Sequence, residues 1–228
     1  MDRLHQLLLD ISFTPEPSLV NFIPGTNLEL LTYLSRFSCL ENNVEKIIYI
    51  WGDPGCGKSH LLKATVNAVI VNGGNAGYFG SGQVPRASMA ETHNLLAIDD
   101  VSMLDAQMQI GLFDLFNRVK EEKGHLLICG DNTPSALNLR PDVTTRLGWG
   151  LIFHLKTLSD HDKREALLAH AQFRGFSLSR EVVDYLLSHT ERDMSSLMCL
   201  LDAIDLCSLE MKRPITLPLL RELLSNSG

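Results

Sequence analysis

The sequence predicts an α/β protein: a parallel-sheet core built around a phosphate-binding loop, followed by a small helical domain. Three observations carry that expectation. Residues 52–59, Gly-Asp-Pro-Gly-Cys-Gly-Lys-Ser, form a complete G-x-x-x-x-G-K-[ST] loop between an apolar run and a helical pattern. Short apolar runs alternate with helical periodicity up to about residue 157. From Ser159 onward only helical periodicity remains.

The elements follow in order. Residues 1–21 read as a tail, with a short apolar cluster and then Thr14-Pro15-Glu16-Pro17-Ser18, which neither helix nor strand favours. Phe22-Ile23-Pro24-Gly25 reads as a turn, and Leu28, Leu31 and Leu34 as one face of a helix. Ile47 to Trp51 is a buried strand entering the loop. Leu61, Leu62, Ala64, Thr65, Ala68 and Val69 mark the helix leaving it, which Gly73-Gly74-Asn75 breaks. Ala76–Phe79, Leu95–Ile98, Leu126–Gly130 and Leu151–Leu155 read as further strands. Met108, Leu112, Leu115, Phe116 and Val119 share a helical face. Ser159 and Asp162 resemble a capping box, and four helical stripes follow at 166–167, 182–187, 197–204 and 219–224. The expected organisation is a tail at 1–21, an α/β nucleotide-binding core at 22–157 and a helical lid at 158–228.

Composition narrows the function classes. The chain has 228 residues, 45% hydrophobic and 21% charged, which suits one large domain with a small appendage. No run approaches the roughly 18 apolar residues of a membrane span, and no signal-peptide pattern opens the chain. Five scattered cysteines (39, 56, 129, 199, 207) without metal spacing suit a reducing cytoplasm. The eight histidines form no paired ligand pattern, so no zinc site is expected. A net charge of −7 and the lack of a basic run argue against tight DNA binding by this chain alone and favour a protein partner.

Gly52, Gly55 and Gly57 let the loop backbone turn its N–H groups inward, and the helix N-terminus adds positive potential. Lys58 is placed to reach β and γ phosphates, and Ser59 to hold Mg²⁺. Asp53, Pro54 and Cys56 complete the loop; Cys56 is either a small filler or an oxidisable thiol. Asp99, at the end of an apolar strand, is the second candidate Mg²⁺ contact, and Asp100 is placed to polarise an attacking water. Aspartate is one methylene shorter than the glutamate many related ATPases use there, so slow intrinsic turnover is expected. Asp131-Asn132 either sense the γ-phosphate or end a strand through Pro134. Arg146 is either a surface charge or an arginine finger directed at a neighbour's nucleotide. Arg192 either covers bound phosphate or caps a helix in solvent.

Taken together these segments resemble the DnaA branch of the AAA+ ATPases, from about Asn21 to the end. "IIYIWGDPGCGKSHLLKA" resembles its phosphate-loop segment including His60, and "LLAIDD" its two-aspartate Walker B. "LLICGDNTP" is similar to sensor 1, pointing to Asp131. "TRLGWG" is similar to the arginine-finger box, pointing to Arg146, and "ERDMSSL" to sensor 2, pointing to Arg192. The resemblance implies a sheet of order 5-1-4-3-2, ADP or ATP between core and lid, and Phe22, Ile23 and Pro24 near the base. Two departures are expected. The helix-turn-helix region of DnaA does not follow Gly228. Residues 80–94 are also too few for its single-strand-binding helical insert at 1.5 Å per residue.

A DnaA-like core without those devices resembles the Hda family of DnaA regulators, which implies partners in DnaA and the DNA polymerase sliding clamp (its beta subunit). The family's clamp motif is similar to Gln6-Leu7-Leu8-Leu9-Asp10-Ile11, matching at Gln6, Leu7 and Leu9 with Ile11 a near match. The other reading of that segment is an amphipathic helix on the core. The function implied is a regulator that stimulates ATP hydrolysis by DnaA through Arg146. The alternatives are a self-assembling AAA+ ATPase such as a helicase loader, in which a homo-oligomer shares Arg146, and a small-molecule P-loop kinase, against which the "RLGWG" box and the lid argue.

Overall fold

A computed structural model describes residues 16–41, 44–121, 124–189 and 194–225. They divide into two compact units, one of residues 16–157 and one beginning at Leu158. The larger unit runs α1 (Leu28–Ser38), β1 (Ile47–Trp51), α2 (Lys58–Val71), β2 (Ala76–Phe79), β3 (Leu95–Ile98), α3 (Ala106–Glu121), β4 (His125–Gly130), α4 (Pro141–Leu147) and β5 (Leu151–His154). The five strands pair in parallel in the order β2-β3-β4-β1-β5, the order the resemblance implies.

Parallel sheets are covered on both faces, which is why their inner strands read as unbroken apolar runs. Alternate residues supply two cores. Tyr49, Leu96, Ile98, Leu126 and Ile128 pack against Leu112, Leu115, Phe116 and Val119 of α3 and Val143 and Leu147 of α4. Ile48, Ile50, Leu95, Ala97, Leu127 and Cys129 pack against Leu61, Leu62 and Val69 of α2 and Leu34 and Phe37 of α1. Helix α1 differs from expectation in its face: Leu30, Leu34 and Phe37 are buried, whereas Leu28 is exposed. The i, i+4, i+7 spacing of those three is the better helical stripe. Strand β4 begins one residue earlier than expected, at His125, and β5 ends one earlier, at His154.

The second unit contains α5 (Asp160–Arg174), α6 (Arg180–His189), α7 (Met194–Met211) and α8 (Leu217–Ser225). Ser159 caps α5, its hydroxyl accepting from the Asp162 N–H at 3.1 Å, and Gly175 at φ 86° ends it. Leu167, Val183, Leu186, Leu197, Leu201, Ile204, Leu219 and Leu220 form its core. Among the described residues no helix is long and apolar enough to cross a membrane.

Candidate functional site

The site lies at the carboxyl edge of the sheet, where ligands bind in open α/β folds. The loop 52–57 joins β1 to α2. Gly57, at φ 105°, is the N-cap residue of α2, and a Cβ there would lie 2.9 Å from the Phe22 ring. Gly55 also has positive φ, at 76°. A Cβ on Gly52 would strike the Leu155 carbonyl oxygen. These backbone positions favour glycine, so the loop conformation follows from its residues.

Lys58 is buried, and its Nζ donates to the carbonyls of Gly52 (2.6 Å) and Asp53 (3.1 Å) and pairs with Asp131 Oδ1 (3.1 Å). Those are oxygen partners of the kind a phosphate supplies. Asp53, Pro54 and Gly55 are exposed, Cys56 is half-buried, and burial pushes the Cys56 thiol up. The Cys56 N–H closes the loop on the Asp53 carbonyl at 3.3 Å.

Asp99 is buried at the end of β3. Tyr78 donates to its Oδ2 at 2.6 Å and the Cys129 thiol to its Oδ1 at 2.8 Å. Burial alone would raise the Asp99 carboxyl, but the hydrogen bonds from Cys129 and Tyr78, with the Ser59 hydroxyl and the Lys63 ammonium nearby, hold it below the usual value. Burial likewise pushes the Cys129 thiol well up, and the adjacent Asp99 adds to the rise. Asp100 adopts a left-handed conformation, φ 48° and ψ 69°. Ser81 donates to its Oδ2 at 3.2 Å, while Oδ1 is the one buried side-chain oxygen or nitrogen among the described residues without a hydrogen-bond partner. An orphaned carboxylate oxygen beside a phosphate loop fits a role toward a bound water or ion. Tyr49, buried in β1, donates to the Asn132 carbonyl at 2.6 Å and so fixes the loop carrying Asp131.

Residues 16–22 are fastened to α2. Asn67 Nδ2 donates to the Pro17 carbonyl at 3.0 Å, and His60 Nε2 to the Ser18 carbonyl at 3.2 Å. Ser18 and Asn21 exchange hydrogen bonds of 3.0 and 3.1 Å, and the Phe22 ring stands 5.6 Å from that of His60. Ile23 and Pro24 are half-buried and lead to Asn27, whose side chain is doubly hydrogen-bonded to the Lys156 backbone at 2.8 Å.

Arg146 is not part of this cluster. It lies near the end of α4, just before β5 begins, and therefore at the amino edge of the sheet. Its guanidinium lies 3.7 Å from the Phe113 ring centroid and 4.8 Å from that of Trp149, and it donates to Asn117 Oδ1. Trp149 is 46% exposed. Beside it Glu45, Lys46, Ile47, Val119, Lys120, Trp149 and Gly150 line a cavity of about 390 Å³. The structure thus gathers Phe22, residues 52–60, Asp99, Asp100 and Asp131 at one edge and sets Arg146 at the other. Arg192 and the segment with Gln6, Leu7, Leu9 and Ile11 lie outside the described residues.

Sequence reasoning missed Tyr78, Cys129, Tyr49, Phe113 and Asn117. Only Phe113 and Asn117 left a signal, their i, i+4 spacing on α3. The donor set at the carboxyl edge fits a nucleotide phosphate with Mg²⁺, since Ser59 and Asp99 offer hard oxygen ligands and Lys58 a cation.

A parallel sheet with a phosphate loop at the switch point and carboxylates on the adjoining strands, in a chain with a second, helical unit, is the element set of the AAA+ class of P-loop proteins. Residues 160–224 match the family model described as Hda, lid domain, and residues 86–154 the bacterial DnaA ATPase domain. An uncharacterised protein of Haemophilus influenzae is 37% identical over 229 residues, spanning 96% of this chain and 98% of its own. Domain III of the Thermotoga maritima replication initiation protein DnaA is similar in fold, with TM-score 0.74 at 20% identity over 93% of this chain and 98% of that one. AMPPCP-bound DnaA from Aquifex aeolicus is similar with TM-score 0.70 at 25% identity, over 86% and 67% of the two chains. The chain belongs to the DnaA branch of the AAA+ proteins, close to Hda.

Proposed function

We propose that the protein regulates replication initiation by binding an adenine nucleotide at residues 52–59 and offering Arg146 to ATP held by a DnaA-type partner. One observation carries the reading: Arg146 and the phosphate loop lie at opposite edges of one parallel sheet. A strand of five residues spans about 16 Å at about 3.3 Å per residue. A guanidinium beyond the far end of β1 does not reach this chain's own phosphate site, so the phosphate it serves is a partner's. The similarity to AMPPCP-bound DnaA supports the nucleotide part.

In this reading the loop N–H groups and Lys58 grip the phosphates. Ser59 and Asp99 would hold Mg²⁺, which when bound would neutralise phosphate charge. Asp131 keeps Lys58 aimed inward, and Asp100 would offer its unpartnered carboxylate oxygen to a bound water. With an aspartate there, turnover by the chain alone is weak or dependent on the partner. At the other edge Phe113, Trp149 and Asn117 hold Arg146 pre-aligned, so less side-chain entropy is lost when it meets the transition state. Residues 6–11 would tie the regulator to the sliding clamp as an extended peptide, and DNA itself would be held weakly.

The test is ATP turnover by the purified chain alone and then mixed with DnaA and DNA-loaded clamp. Turnover only in the mixture is the expected result. Vigorous turnover by the chain alone, rising with its concentration, would instead favour a self-assembling ATPase. Gln6→Ala with Leu9→Ala is expected to lose most clamp affinity while keeping nucleotide affinity and melting temperature. Clamp binding unchanged in that double variant removes the tail from the proposal.

A further inference from the structure

We infer that Tyr78 sets how strongly the nucleotide site responds to a divalent cation, an inference that rests on the nucleotide reading above. Tyr78 lies on β2, outside every motif of the loop. The register pairs Tyr78 with Ala97 and Phe79 with Ile98, so its ring reaches the carboxyl end of β3. Its hydroxyl donates to Asp99 Oδ2 at 2.6 Å, and Cys129 donates to Oδ1 at 2.8 Å. Both oxygens of the carboxylate that would receive a metal-bound water therefore already accept hydrogen bonds from neutral donors. Cys129 is buried inside β4 and has no room to leave. Tyr78 is half-buried on an edge strand, with the Lys63 ammonium 5.0 Å from its ring centroid.

A carboxylate that holds magnesium through water must accept a hydrogen bond from that water. The tyrosine hydroxyl occupies one of the same lone-pair directions and competes for it. It also satisfies the buried carboxylate when no metal is present, which removes the cost that otherwise drives a metal into such a site. Nucleotide is then held chiefly by Lys58 and the loop N–H groups, and the cation adds little. Phenylalanine at 78 keeps the ring in place while freeing Oδ2, so the cation's contribution grows.

The experiment titrates ADP into the full chain by calorimetry, once with magnesium chloride and once with EDTA. For wild type the two dissociation constants are expected to agree within about threefold. In Tyr78→Phe their ratio is expected to rise by about tenfold, the worth of one hydrogen bond to a charged group. Adding Asp99→Asn to Tyr78→Phe should erase that rise, an outcome a general loosening of the fold would not produce. Tyr78→Leu serves as a second variant if the first melts early. An equal ratio in wild type and both variants, or a wild type already tenfold dependent on magnesium, overturns the inference alone. Failure of wild type to bind ADP under either condition overturns the nucleotide reading and this inference with it.

Discussion

The two edges of the sheet are built differently. At the carboxyl edge the polar groups are nearly all spoken for: Lys58 has three oxygen partners, Asp99 two donors and the Asn132 carbonyl a tyrosine hydroxyl. At the amino edge a guanidinium and an ammonium lie over the face of a half-exposed tryptophan, beside an open cavity. The first arrangement suits a ligand held within the chain, because buried polar groups must be satisfied before and after it enters. The second suits a surface shown to another molecule, because cations resting on aromatic rings keep their charge available. In the proposed reading, one sheet separates holding a nucleotide from acting on one.

The largest expected effect would break that separation. Arg146→Ala should lower partner-stimulated ATP hydrolysis by roughly a thousandfold while leaving ADP affinity and melting temperature near wild type. A mixture that still hydrolyses ATP within about twofold of wild type assigns the finger to another residue. Next is Lys58→Ala, which should weaken ADP binding by about 2 kcal/mol, about thirtyfold, in calorimetry. Stimulated hydrolysis should fall only as far as nucleotide occupancy does. If both variants fail in the same assay by the same factor, the two edges do not act separately.

Gly150→Ala is expected to act on stability. A Cβ there would strike the Ile47 carbonyl oxygen, which a backbone pair cannot easily relieve. The cost should be about 1–3 kcal/mol, read as a loss of about 2–4 °C in melting temperature per kcal/mol. Nucleotide affinity should survive below the new transition. The smallest effect concerns pH. Burial holds His60 below its ordinary 6.5, against an opposing hydrogen bond to the Ser18 carbonyl. The unfolded chain therefore takes up this proton at higher pH than the folded one. The stability that the neutral ring contributes is full above 6.5 and is lost as pH falls through the folded value. His60→Gln should flatten the decline of melting temperature below pH 6.5, leaving the share due to His125, which burial also lowers. A decline just as steep in the variant would place the acid sensitivity elsewhere.

What was legible in the sequence was local. Residues 52–59 carry their conformation in their glycines, and Asp99 is marked by the four apolar residues before it. Tyr78 and Cys129 were not legible, because their role depends on β2, β3 and β4 lying side by side in one register, a long-range fact no short window contains. For α1 the pattern of helix was clear but its face was not. Leucines at 28, 30, 31 and 34 allow two stripes, and packing on β1 and α2 selects the one through Leu30, Leu34 and Phe37. Arg146 was legible as a candidate in either of two roles. Its setting at the amino edge follows from the crossover that returns the chain from β4 to the start of β5, a long-range fact that spacing within one motif does not carry.

The fastening of residues 16–22 onto α2 has a mechanical consequence. Its clips fall at Pro17, Ser18 and Phe22, and they grip Asn67, His60 and the backbone at Gly57. A pull that enters along the chain from before residue 16 is therefore delivered to the helix that opens the phosphate loop before it reaches any strand. Tension arriving there would meet the nucleotide end of the sheet first, with the Asn27–Lys156 pair as the next tie along the chain.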